Sequence, residues 1–318
     1  MRLSVIIPVY RSQDSLRPLV ARLKPVLDEI AEEYELILVN DGSPDNSWAV
    51  VSELAAEHPW IRGIDLLRNY GQHNALLCGV RAASFPLIAT LDDDLQHPPE
   101  EIPKLLAKLS EGFDVVYGTP QTEQHGLWRD LASRVTKLAL QASMGVNVAR
   151  SVSAFRIFRT DLREAFRNYT GSYVSIDVLL TWGTTRFAAV PVQHDARTIG
   201  ASSYTFRKLL THALNMVTGY STVPLQFASL VGFVFTLFGI GILVFTVARF
   251  LVYGRVVPGF AFLASTIAIF SGVQLFSLGV IGEYIARMHF RLMERPTYTV
   301  RPAPGDVAAS NEEDSSTQ

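Results

Sequence analysis

Residues 3–9 form an almost unbroken apolar run, Leu-Ser-Val-Ile-Ile-Pro-Val, that stops at Tyr10 and Arg11. A short run of this kind, rich in β-branched residues, predicts a strand buried on both faces. The period then changes. Leu16, Leu19, Val20, Leu23 and Val26 recur at three- and four-residue intervals, which predicts a helix over 14–30. The same alternation continues with strand 35–39, helix 47–57, strand 61–67, helix 74–83, strand 87–91, helix 99–109 and strand 114–118. Continuous apolar strands separated by helices predict an α/β domain, a Rossmann-like and mostly parallel sheet with helices on both faces. Ligands of such sheets bind beyond the carboxyl ends of the strands. Tyr10, Asp41, Arg68-Asn69 and Asp92 to Asp94 all fall at those ends, which points to one shared site.

After about residue 206 the alternation gives way to long apolar stretches. Residues 223–248 carry no charge, and neither do residues 256–282, beyond a link that contains Arg249, Gly254 and Arg255. Each stretch exceeds the about 20 apolar residues that cross a bilayer. Two core helices of a soluble protein are the competing explanation, but the remaining chain is too short to cover them. Arg207 and Lys208 precede the first stretch, and Arg287, Arg291, Arg295 and Arg301 follow the second. This excess of basic residues places both flanks on the cytoplasmic side of the cytoplasmic membrane. The predicted organisation is a cytosolic domain over 1–205 and a juxtamembrane, interfacial helix over 206–222. Two transmembrane helices follow within 223–285, at about 223–250 and 258–285. A cytosolic segment over 286–318 ends in an acidic, disordered tail.

Composition adds exclusions. Charged residues make up 18% of the 318 residues, against about 25% in typical soluble domains. The mean hydropathy is +0.21. A formal net charge of −2 gives no electrostatic case for binding nucleic acid. One cysteine, Cys78, excludes an internal disulfide and a multi-cysteine metal site, and its apolar neighbours predict a buried, inert thiol. No signal-peptide apolar region precedes the first strand, so the N-terminal domain is expected to fold in the cytosol.

The strongest chemical signal is Leu91-Asp92-Asp93-Asp94-Leu95-Gln96-His97-Pro98-Pro99-Glu100. Carboxylates at alternate positions just past a strand suit a hard divalent cation shared with substrate phosphates. Three adjacent acids repel one another unless a cation offsets them. The competing reading is an acidic helix start. Asp41, in Val39-Asn40-Asp41-Gly42-Ser43, is either a turn residue or a carboxylate that accepts from a nucleotide base. Arg68-Asn69-Tyr70-Gly71-Gln72-His73 joins a strand to a helix, where donors meet anions. His73 reads equally as a locally bonded helix-start residue.

These segments together resemble the family 2 (GT-A fold) glycosyltransferases. The resemblance rests on Ser-Val-Ile-Ile-Pro-Val-Tyr, Val-Asn-Asp-Gly-Ser-Pro-Asp, Asn-Tyr-Gly-Gln-His and Leu-Asp-Asp-Asp-Leu-Gln-His-Pro-Pro-Glu-Glu. Their order, with two C-terminal spans, is similar to the polyprenyl-phosphate branch. That branch holds the bacterial undecaprenyl-phosphate sugar transferases (formamido-arabinose and glucose type) and dolichol-phosphate mannose synthase. Val-Ile-Gly-Glu-Tyr-Ile-Ala-Arg at 280–287 and the Arg295-Pro296-X-Tyr298 ending resemble the bacterial members. The resemblance implies a nucleotide-sugar donor, UDP favoured, a polyprenyl-phosphate acceptor, a homotetramer and inversion at the sugar.

By the same resemblance Pro8, Tyr10, Asp41, Asn69, His73, Asp92 and Asp93 line the donor, and Arg197 and Ser202 belong to a loop that closes over its diphosphate. Asp94 and Gln96 hold Mg²⁺ or Mn²⁺. Asp92, Asp94 and Arg156 are the catalytic group, with Arg156, Arg129 and Arg134 on the acceptor phosphate. The chain departs from the family pattern at Arg11-Ser12, Pro120, Ala154 and Ser203. Two other readings compete. One is a family 2 transferase to a hydroxyl acceptor, which needs a carboxylate base such as Asp161 or Asp177. The other is a non-catalytic membrane protein that binds nucleotide-sugars.

Overall fold

The computed structural model describes residues 1–120, 151–171, 174–195, 218, 222–254 and 259–302. Seven strands among them form one sheet: β1 (Arg2–Val9), β2 (Glu33–Asn40), β3 (Ile61–Asp65), β4 (Leu87–Thr90), β5 (Val115–Pro120), β6 (Arg156–Arg159) and β7 (Phe187–Val192). Their spatial order is β3-β2-β1-β4-β6-β5-β7. β1, β2, β3 and β4 are parallel, and so are β5 and β7. β6 runs antiparallel to both β4 and β5. The sheet is therefore mixed at one point, which the sequence pattern did not predict. Four residues, Arg-Ile-Phe-Arg, with charges at both ends, are too short a signal to declare a strand.

The helices of the domain are α1 (Leu16–Ile30), α2 (Ser47–Glu57), α3 (Gln72–Ala82), α4 (Ile102–Ser110) and α5 (Ile176–Gly183). The strands alternate between two apolar layers, as a period of two requires. Val5, Ile7 and Val9 pack with Leu36 and Leu38 against the apolar stripe of α1 and against α2 and α4. Ile6, Ile37 and Val39 face the opposite layer, with α3 and α5. α1 begins two residues later than expected, because the amides of Ser15 and Leu16 first close a turn on Ser12 O. α3 begins two residues earlier than expected. Gly71, at φ 97°, caps it, and its carbonyl accepts from the Asn74 and Ala75 amides. Residues 99–101 form a 3-10 turn ahead of α4.

Two long helices follow, α6 (Val223–Tyr253, 31 residues) and α7 (Phe260–Leu292, 33 residues). At about 1.5 Å per residue, each is longer than the about 30 Å hydrocarbon core. Neither is covered by the rest of the protein: Phe233 is 61% exposed, Leu243 62% and Leu251 76%. This removes the soluble-core explanation for the described helices. Both run a few residues past the expected ends. α6 stops at Gly254, whose φ of 59° lets its amide reach Phe250 O. The helices touch where Phe270 packs edge-on to Phe235 at 6.0 Å and lies over Gly239. The expected juxtamembrane helix and acidic tail lie almost wholly outside the described residues.

Beyond α7 the chain turns at Glu294, φ 47°, and returns to the sheet. Val300 bridges antiparallel to Leu66, the Leu67 amide donates to Thr299 O (3.0 Å), and the Arg301 amide donates to Asp65 O (2.7 Å). Residues 297–301 thus form a strap along the free edge of β3.

Candidate active site

Because β1 to β4 are parallel, their carboxyl ends open on one edge of the sheet. The expected residues of the described part gather there, and hydrogen bonds between loops hold them. Pro8 is buried in β1, beside Val39. Tyr10 is 42% exposed at the end of that strand. Its amide donates to an Asp93 carboxylate oxygen (3.1 Å), and the Ser12 hydroxyl donates to the same oxygen. Asp93 therefore ties the loop after β1 to the loop after β4. Burial pushes its carboxyl above the ordinary aspartate value, against the pull of these donors.

Asp41 does the same between β2 and β3. Its two oxygens accept from the Tyr70 and Gly71 amides at 2.7 and 2.8 Å. It is 2% exposed, and burial raises its pKa despite those bonds. The close approach explains Gly42, which sits at φ 60° and whose absent side chain would collide with the backbone of Arg68 and Asn69. Arg68 stacks on the Tyr70 ring at 4.4 Å, and Asn69 is exposed beside them. His73, in the first turn of α3, accepts at Nδ1 from the Ile176 amide (3.4 Å), which assigns its proton to Nε2.

The acidic run forms a tight turn. Gln72 Nε2 donates to Asp92 (2.7 Å), which links α3 to the loop after β4. The Gln96 amide donates to Asp94 at 3.1 Å. Between them Leu95 has φ 61°, a left-handed conformation that costs a bulky residue of order 1–3 kcal/mol. Asp94, Leu95 and Gln96 are thus held in a geometry that local preference opposes. Arg11, at φ 58°, is a second such residue on the same rim. Past the run, His97 lies 5.0 Å from the His194 ring and 5.5 Å from Phe155. Burial, helped by His194, lowers its pKa to about 4, so it is neutral at physiological pH. The Asp195 amide donates to Gln96 O, which brings the end of β7 to the same rim. The sequence reading gave no individual role to Ser12, Gln72, His97 or the 192–195 segment. Ser12 and Gln72 act only through loops that meet in three dimensions.

Arg156 differs most from expectation. It is 2% exposed, pairs with Asp177 and lies 5.9 Å from the Tyr117 ring. The Tyr117 hydroxyl donates to the same Asp177 oxygen (3.0 Å). Tyr117 is held far above the ordinary phenol pKa, first by burial and then by the Asp177 charge. A guanidinium enclosed with its own counter-ion is built into the wall of the site. Asp177 is equally committed, which removes it as a free base. Arg129, Arg134, Arg197 and Ser202 lie outside the described residues.

A parallel-sheet edge carrying an acidic turn, a carboxylate-pinned loop and an exposed aromatic is the place where α/β proteins of this class take their ligands. Residues 4–167, just over half of the chain, match the family model "Glycosyl transferase family 2", and the chain belongs to that family of glycosyltransferases. Solved structures of glucosyl-3-phosphoglycerate synthase from Mycobacterium tuberculosis are similar at low identity. The complex with phosphoglyceric acid gives a TM-score of 0.49 at 19% identity, over 68% of this chain and 77% of that one. The complex with Mn²⁺ and uridine-diphosphate-glucose gives 0.48 at 18%, over 68% and 76%.

Proposed function

We propose that this transferase moves a sugar from a nucleotide-sugar, UDP favoured, onto the phosphate of a polyprenyl phosphate at the cytoplasmic membrane, with inversion at the anomeric carbon. The observation that carries the reading is the exposed apolar pair α6 and α7, followed directly by a strap that ends on the donor-side edge of the sheet. That arrangement suits an acceptor whose tail lies in lipid and whose head reaches only the interface.

Tyr10, Asp41 and the 68–71 loop would receive the base and ribose. Asp92, Asp94 and Gln96 offer the oxygen donors that Mg²⁺ or Mn²⁺ prefers, few enough to leave positions for substrate oxygens. A cation bound there would supply neutralising charge for the diphosphate. Among the described residues no three His, Cys, Asp or Glu side chains converge so as to hold a metal ion. A phosphate monoester is already an anionic nucleophile, so the reaction asks the protein mainly for alignment. One phosphate oxygen bonds the anomeric carbon as the bond to the nucleoside diphosphate breaks on the opposite face. Commitment of Asp177 to Arg156 and Tyr117 counts against one of the two carboxylates, Asp161 and Asp177, that a hydroxyl acceptor could use as its base.

The test incubates purified protein with undecaprenyl phosphate, Mg²⁺ or Mn²⁺ and a panel of radiolabelled nucleotide-sugars, then extracts the lipid. Label in the lipid with one donor, abolished by EDTA, is the expected result. Metal-dependent transfer to a soluble hydroxyl acceptor instead would refute the lipid reading.

A further inference from the structure

β3 is the edge strand, so the loop after it leaves the sheet with support on one side only. Asp41 holds that loop from inside, through the Tyr70 and Gly71 amides. The strap holds it from outside. Arg301 Nε donates to Asp65 at 2.7 Å, and Asn40 Nδ2 donates to the other Asp65 oxygen at 2.6 Å. Asn40 in turn accepts from the Ser43 amide (3.4 Å), so this chain of bonds runs from the strap to the turn containing Asp41. The Leu67 amide donates to Thr299 O (3.0 Å), which anchors the start of the 68–71 loop to the strap. Tyr298 lies 5.7 Å from the Arg81 guanidinium and packs into the layer behind α3. Asp65 is 8% exposed, so a counter-ion matters there more than at an open surface.

We propose that Arg301 is a positioning residue of the donor site, which sets the base-side loop from a segment lying beyond both membrane helices. The proposal rests on the nucleotide-donor reading above. It goes further in making the pocket composite: residues 40–71 form its inner wall and residues 297–301 brace it from outside. Because the strap continues from α7, the seat of the donor is registered to the point where that helix leaves the lipid.

The test uses the full-length protein in lipid nanodiscs, with UDP and Mn²⁺ as the binding probe. Arg301→Ala, Arg301→Lys and Asp65→Asn are compared with Arg17→Ala, which removes two exposed ion pairs between α1 and α2. UDP affinity, donor KM, acceptor KM, kcat and melting temperature are read for each. Arg301→Ala is expected to weaken UDP and raise donor KM roughly fivefold or more, with kcat and acceptor KM within about twofold. Arg301→Lys restores most of the loss, Asp65→Asn gives a change of the same sign, and Arg17→Ala gives none. A merely structural strap would lower the melting temperature and leave donor KM unchanged, and that result overturns the proposal. Asp65→Asn discharges the partner of Arg301 and keeps both backbone bonds of the strap, so it decides the matter should Arg301→Ala fail to fold. Wild-type protein that binds none of UDP, GDP and dTDP would instead overturn the nucleotide-donor reading itself.

Discussion

Asp93 accepts from the Tyr10 amide and the Ser12 hydroxyl, whereas Asp94 accepts from the Gln96 amide within its own turn. Neighbours in sequence thus have separate tasks, one fixing a loop and the other facing the proposed cation. Asp94→Asn is expected to cut kcat at least roughly a hundredfold, since even outer-shell partners of metals cost 10–100-fold. The melting temperature should stay within about 2 °C, because asparagine keeps the side-chain oxygen that accepts from the Gln96 amide. Near-normal turnover at saturating donor and metal would refute the role. Arg156 makes the opposite prediction. Removing one partner of a buried ion pair leaves the other charge stranded, so Arg156→Met should cost about 3–5 kcal/mol of stability. Asp177→Leu added to it should recover a large part. Chemical denaturation of the two single variants and the double variant measures the coupling. Additive losses would show that the pair does not act as a unit, and a rise in acceptor KM without loss of stability would restore Arg156 to the acceptor.

At the scale of elements, Asp114 joins the antiparallel insertion to its neighbours. It accepts from Thr184 (2.6 Å) and from Arg186 (2.9 and 2.8 Å), and pairs with Arg159 at 3.3 Å. Burial pushes its carboxyl up, but the Thr184 and Arg186 donors outweigh burial and hold it below the usual aspartate value. A depressed carboxylate contributes stability above its unfolded pKa and loses it as pH falls through the folded one. Asp114→Asn should therefore cost about 2 kcal/mol near neutral pH and progressively less below about pH 4. Melting temperatures from pH 7 to pH 3 check this, and an equal loss at every pH would exclude the charge as its source. The strands and helices with long apolar patterns were legible in the sequence, including α2 to the residue and the rim position of Asp41 and Asp92 to Asp94. β6 was not, because its four residues gain meaning only from Ala89 and Val116 beside Ile157. Nor was the enclosure of Arg156, since its counter-ion lies 21 positions away in another element.

The molecule as a whole joins an α/β domain to two exposed apolar helices whose ends differ in charge. Arg287 and Arg291 lie in the last turns of α7, and Arg295 and Arg301 follow it, whereas Arg249 is the one basic residue near the described end of α6. The basic excess predicts that the sheet domain and strap share the cytoplasmic side and that the α6–α7 turn lies outside. The protein is suited to testing this with single introduced thiols. Its native Cys78 is buried, and burial raises that thiol to about 11, so it stays protonated and unreactive. Tyr253→Cys, at a position 72% exposed at the end of α6, should react with a membrane-impermeant maleimide in intact cells. Ser52→Cys, on the exposed face of α2, should react only after the membrane is opened. The reverse pattern would invert the topology and remove the donor site from cytosolic nucleotide-sugars. Labelling of both positions in intact cells would mean that the helices do not span at all. The acceptor argument would then lose its footing, because it depends on α6 and α7 holding the rim of the sheet at a lipid surface.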